Sequence, residues 1–124
     1  MASSQFNIHE PKQDLTVTSV MTSFTIVASY AYRQGNHIHA EVYGSLSADI
    51  TNAHETPFFT LSGIKAPTAT KYVGTAIVMD GAQHPAYSIP ALVQLRSNKY
   101  FYQRIATSLV SGQRLGFIVD YVDE

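Results

Sequence analysis

The chain has no cysteine and no tryptophan. Without cysteine there is no disulfide staple, no thiolate nucleophile and no Cys-ligated zinc. Charge is sparse: eight Lys and Arg stand against nine Asp and Glu, for a formal net charge of −1. The basic residues are scattered singly, so no stripe could displace counterions from a phosphate backbone, which argues against nucleic-acid binding. No run of about eighteen apolar residues occurs, so no membrane-spanning helix is expected. The start, MASSQFNIHEPK, lacks the basic and then apolar segments of a signal peptide. Gly-rich phosphate loops are missing too. So is a nucleophile elbow, because Ser45 follows Gly44 directly and has no glycine two places after it.

What is present points to strands. The 124 residues are 45% hydrophobic and 14% charged, enough for one domain with a single core. The second half is a ladder of short apolar runs: FFTLSGIKAP, KYVGTAIVM, YSIPALVQLRSNKYFYQRIA and SGQRLGFIVDYV. Each run is cut by Gly, Pro, Asn or Asp, and none has room for a helix of ordinary length. The expected fold is all-β, an antiparallel β-sandwich of about eight strands with no helix longer than about two turns. Eight Tyr and six Phe suit that class, since aromatics favour strands. Tyrosine also offers a flat apolar face with a hydroxyl, useful on sugar or protein surfaces.

Residues 1–13 are polar and without period, and read as a tail or tether; residues 14–124 read as a single β-sandwich domain. Strict alternation places Phe24, Ile26, Ala28, Tyr30 and Tyr32 on one side of a long strand, and Thr25, Val27, Ser29, Ala31 and Arg33 on the other. Gln34-Gly35-Asn36 makes a turn. The return strand sets Ile38, Ala40, Val42 and Leu46 against His37, His39, Glu41 and Tyr43. Ser47 to Pro57 is a surface loop, Phe58 to Leu61 a short strand ended by Ser62-Gly63, and Pro67 interrupts the next stretch. Lys71 to Met79 is apolar or small on both faces, which fits a central strand or a subunit contact. Asp80-Gly81 ends it, and Ala82 to Tyr87 forms a loop. Ile89 to Arg96 and Tyr100 to Ala106 pair across Ser97-Asn98-Lys99, with Pro90 at an edge or strand start. Ser111-Gly112 turns into the last strand, Leu115 to Val122.

Three constellations invite chemistry. His37 and His39 share a strand face with Glu41, so two imidazoles and a carboxylate could converge on one ion. Cupins use such a pair, but their carboxylate follows the second His after three or four residues, whereas Ala40 alone separates His39 from Glu41. The pattern therefore reads as a polar, solvated face, and no metal or other cofactor is expected. Asp80 and Asp120 could pair as acids for glycoside cleavage, but among nine acids a chance pair is unremarkable. No enzyme is expected. The third constellation is a recognition surface: Asp80, Gln83, His84 and Tyr87 in the loop, joined by Tyr102 and Arg104 on one strand face. Planar donors and acceptors beside tyrosine rings match sugar hydroxyls and the apolar face of a pyranose.

From Phe24 onward the order of elements resembles the head domain of tail-tip receptor-binding proteins from phages of lactococci and related Gram-positive bacteria. The likeness runs through Tyr32-Arg33 before the Gly35-Asn36 turn and Val42-Tyr43-Gly44-Ser45-Leu46 after it. It continues through Phe58-Phe59-Thr60-Leu61, Ser62-Gly63-Ile64-Lys65-Ala66-Pro67, the hairpin over Ile89 to Ile105, Leu109-Val110-Ser111-Gly112, and the strand ending near Tyr121. These segments mark turns and core positions, so no binding residue is carried over. Members of that family have an N-terminal shoulder and neck that this sequence lacks, which suggests a separated head or a small accessory tail protein. The resemblance implies a sandwich or jelly-roll head, a homotrimer located at the virion tail tip or baseplate, binding host cell-wall saccharide without cleaving it. The alternative is a purely structural tail or baseplate component that binds other virion proteins.

Overall fold

A computed structural model describes residues 10–80, 84–104 and 108–123, with backbone alone for 80 and 84–89. The fold is all-β. Nine antiparallel strands form one sheet: β1 Gln13–Asp14, β2 Val17–Ser19, β3 Phe24–Gln34, β4 His37–Leu46, β5 Pro57–Leu61, β6 Lys71–Asp80, β7 His84–Leu95, β8 Tyr100–Arg104 and β9 Arg114–Val122. Their order across the sheet is β1-β3-β4-β9-β6-β7-β8-β5-β2. The sheet curls into a half-barrel, so its two halves face each other as sandwich layers would. β1 and β2 are successive pieces of one segment, so residues 13–19 supply both edge strands. The Leu15 amide still donates to Ala31 on β3, and the Ser62 amide, just past β5, donates to Thr16.

The expected hairpins form where turn chemistry forces them. Gln34 pairs with His37 across Gly35 and Asn36, and Gly35 takes φ +61°, which a side chain resists. β7 and β8 pair from Leu92–Arg104 to Leu95–Phe101, with Lys99 at φ 69° in the turn. β7 starts earlier than expected. His84 to Tyr87 is strand rather than loop, with Asp80 opposite His84 and a register irregularity before Met79–Ser88. Pairing to β6 overrides the weak strand preference of that polar stretch. Pro90 consequently lies within β7, opposite Ile77, and the described ladder to β8 stops two residues short of it at Leu92. The expected loop after Leu46 holds one 3-10 turn at Ala53–Glu55 and a bridge between buried Ile50 and Leu109.

The other departure is a bulge. The register passes from Ile26–Gly44 to Ala28–Tyr43, leaving Val27 without a partner and 73% exposed. One extra residue inverts every side chain beyond it. Phe24 and Ile26 therefore share the inner face with Ser29, Ala31 and Arg33, while Ala28, Tyr30 and Tyr32 turn outward.

The inner face is aromatic. Phe117 packs against Phe24, Phe58 and Phe59 at ring separations of 5.9, 5.5 and 5.2 Å, and Phe59 stacks on Phe101 at 4.7 Å. At one end of the half-barrel Arg33 pairs with buried Asp123 and donates to the Gly63 carbonyl at 2.8 Å. Gly74 lies where β6 presses on β9, and a Cβ there would meet the Ile118 carbonyl oxygen at 2.0 Å. Phe117→Ala should cost about 3–5 kcal/mol by opening the aromatic core. Gly74→Ala should cost about 1–3 kcal/mol by overpacking. Urea unfolding measures both.

Candidate functional site

With the inner face filled by side chains, chemistry is left to the outer face. It runs across β3, β4, β9, β6, β7 and β8, and the register fixes its rows: Tyr32–His39–Asp120, Tyr30–Glu41–Ile118–Thr75–Leu92–Arg104, and Tyr43–Gly116–Ile77–Pro90. One end is polar and aromatic, and the other is apolar.

At the polar end His39 sits between two carboxylates. Its Nδ1–H donates to Asp120 Oδ2 at 3.1 Å and its Nε2–H to Glu41 Oε2 at 3.0 Å. A neutral imidazole carries one N–H, so only the imidazolium satisfies both contacts. Partial burial of the ring works against protonation. The hydrogen bonds and charges of Glu41 and Asp120 outweigh it and hold the pKa above the ordinary 6.5. His37 Nε2 lies 2.9 Å from the other oxygen of Asp120. Tyr32 is tilted by 32° against the His39 ring at 5.4 Å, and Tyr30 stands 5.5 Å from Tyr32. Lys12 places its ammonium 4.4 Å above the Tyr32 ring. Among the described residues no three His, Asp or Glu side chains are arranged to hold a metal.

The apolar end centres on β6. Val73, Ala76 and Val78 point inward and are buried, while Ile77 and its neighbours Leu92 and Ile118 are 45–50% exposed. Thr75, Ile77, Pro90, Leu92 and Arg104 line an open depression of about 510 Å³. The strand expected to be apolar on both faces is central in the sheet, yet one apolar face meets solvent.

Of the residues expected to form a sugar site, Tyr102 and Arg104 have described side chains. Arg104 is exposed on the apolar end. Tyr102 shares its face but is buried. The Arg96 guanidinium lies 3.8 Å over its ring, and Asn98 Nδ2 donates to its hydroxyl at 2.7 Å. Arg96 is held there by Gln94, Glu55 and the His54 carbonyl. The backbones of Asp80, His84 and Tyr87 lie toward the far end of the β6–β7 hairpin, their side chains undescribed, and Gln83 lies outside the described residues. Tyr87 is five residues back along β7 from Leu92, the partner of Arg104, which corresponds to about 16 Å of strand. Asp80 and Asp120 stand at opposite ends of the β6–β9 pairing, which runs from Gly74–Val119 to Met79–Arg114.

The histidine pair was recognisable as one polar strand face. Its partner Asp120, 81 residues beyond His39, was visible only as an isolated acid in a strand. Since the folded pKa of His39 is raised, the stability it contributes is full below about pH 6.5, the unfolded value, and disappears as pH rises through the folded value. NMR titration should show His39 protonating above 6.5 in the native protein, and falling back toward that value in Asp120→Asn. No protein-family model matches the sequence, and no curated protein matches it.

Proposed function

We propose that the chain is a non-enzymatic adhesin head of a phage tail tip or baseplate, binding host cell-surface saccharide as a homotrimer. The observation that carries this is the outer sheet face. Solvent-facing strand positions that would ordinarily be polar hold Tyr30, Tyr43, Ile77, Leu92 and Ile118, each at least 40% exposed. A face of this kind is built to be covered. The rings and planar hydrogen-bonding groups at its polar end suit a sugar, and the apolar end suits protein. The all-β scaffold is of the class that the resemblance to phage receptor-binding heads implies.

The apolar end also favours a second reading, in which the chain is a structural tail component that binds virion proteins alone. A glycan array together with a pull-down on host cell walls separates the two. Saccharide binding by the purified protein supports the adhesin, and capture of tail proteins without any glycan signal supports the structural component.

The trimer contact is assigned to the apolar end. Light scattering should report a trimer at micromolar concentration, and Ile77→Asp combined with Leu92→Asp should reduce it to monomer, because each introduced carboxylate would lose its water in the contact. A monomeric wild-type protein removes the trimer from the proposal.

A further inference from the structure

The adhesin reading leaves open where the sugar sits, and the sequence directs attention to the β6–β7 hairpin and β8. The folded chain offers a different place. We infer that Tyr30, Tyr32, His39, Glu41 and Asp120 form a saccharide site for a neutral, hydroxyl-rich ligand, an assignment that rests on the adhesin reading.

The first argument is preorganisation. Glu41 and Asp120 are 39% and 54% exposed, yet neither is free to wander, because each is tied to a nitrogen of His39. Fixing long polar side chains before the ligand arrives removes an ordering cost from binding. Each carboxylate keeps acceptor positions beyond those used by histidine, so it can take sugar hydroxyls.

The second argument is the platform. Tyr30 is 48% exposed and stands beside Tyr32, whose ring lies under the Lys12 ammonium, so the open ring face next to the carboxylates is that of Tyr30. Flat apolar rings beside fixed acceptors match a pyranose, which has an apolar face and an equatorial rim of hydroxyls. At Tyr102 and Arg104 this combination is lacking, since the Tyr102 ring is buried beneath Arg96.

The third argument is charge. Glu41 and Asp120 face the His39 imidazolium, the Lys12 ammonium lies over the neighbouring Tyr32 ring and Asp14 stands at the margin, so both signs are present around the four central charges. Such a site favours a neutral ligand over an ionic one. It also disfavours a dry protein contact, which would strip water from all four charges.

His39 is here a positioning residue. When it loses a proton it can hold only one carboxylate, and the site loosens. The groups facing it are Tyr30 and Tyr32 from β3, His37 and Glu41 from β4, and Asp120 from β9. Asp14 of β1 pairs with Tyr32 at its margin, and Lys12 covers that ring.

The test uses the full chain and a panel of neutral oligosaccharides of glucose, galactose and N-acetylglucosamine, with affinities measured by calorimetry and side-chain shifts by NMR. The expected result is binding that perturbs Tyr30, Tyr32 and His39. It should weaken at least tenfold in Tyr32→Ala and in Asp120→Asn, and decline as pH rises through the His39 titration seen by NMR. Glu41→Gln, which preserves shape, gives a third variant should Tyr32→Ala fail to fold. Binding that survives these substitutions, or that is lost in Arg104→Ala instead, overturns the site and leaves the adhesin reading intact. Binding with no pH dependence across the His39 titration overturns the positioning role. Failure of every panel member to bind removes the site and the saccharide reading together.

Discussion

An open sheet of nine strands presents two rows of unpaired backbone groups, and everything else in this molecule depends on how they are dealt with. A single segment, residues 13–19, runs along β3 through Gln13 and Asp14 and then crosses to β5 through Val17, Thr18 and Ser19. The two edges must therefore come within a few residues of each other, which obliges the sheet to curl. Curling in turn creates an inside, and Phe24, Phe58, Phe59, Phe101 and Phe117 fill it. Arg33 and Asp123 close the end near the β3–β4 turn, where the Asp123 carboxylate also accepts from the Lys65 amide at 3.2 Å. The Asp123 amide donates to the Asn36 carbonyl at 2.7 Å, so the last strand is pinned to the first hairpin.

The described inner face is packed with phenylalanine, and the side chains left to face solvent are those of the outer face. The outer face inherits its layout from the strand order. β3, β4 and β9 are neighbours, which brings the tyrosines, the histidines and Asp120 together. β9, β6 and β7 are neighbours, which gathers Ile118, Ile77 and Leu92. Because β9 belongs to both groups, Asp120 and Ile118 stand two residues apart on the same face, and the polar and apolar ends are continuous.

Much of the fold was legible in the sequence because turn residues act locally. Gly35, Gly63 and Gly112 all adopt positive φ at the positions expected to turn. The second hairpin was legible through Ser97-Asn98-Lys99 in the same way. Long-range effects were not. From Asp14 the sequence alternates as a strand does, Leu15, Val17 and Ser19 against Thr16, Thr18 and Val20, but nothing in it shows that one segment supplies both edges. Nothing near Tyr102 announces that Arg96, fixed by Glu55 and His54, will cover its ring. That His37, His39 and Glu41 share a strand face was legible, but the face is partly buried rather than solvated, and its engagement with Asp120 depends on the β4–β9 register, which no local pattern encodes.

The bulge at Val27 shows why local alternation fails at the point that matters most. Without it, Ala28, Tyr30 and Tyr32 would continue the inward row begun by Phe24 and Ile26, opposite buried Val42, Ala40 and Ile38. Two phenol hydroxyls would then need partners in an apolar interior, at a cost of about 1–3 kcal/mol for each left unsatisfied. The inner face already carries one such case. Tyr121 is buried with its hydroxyl unpartnered, and desolvation pushes that phenol well above its ordinary pKa. One unpaired residue avoids two further burials of this kind, and it places Ala31, which needs little space, and Arg33, which pairs with Asp123, where the rings would have gone. The same inversion delivers the two tyrosine rings to the side of the sheet where His39 and Asp120 stand. Core packing thus determines which face of β3 becomes the recognition face.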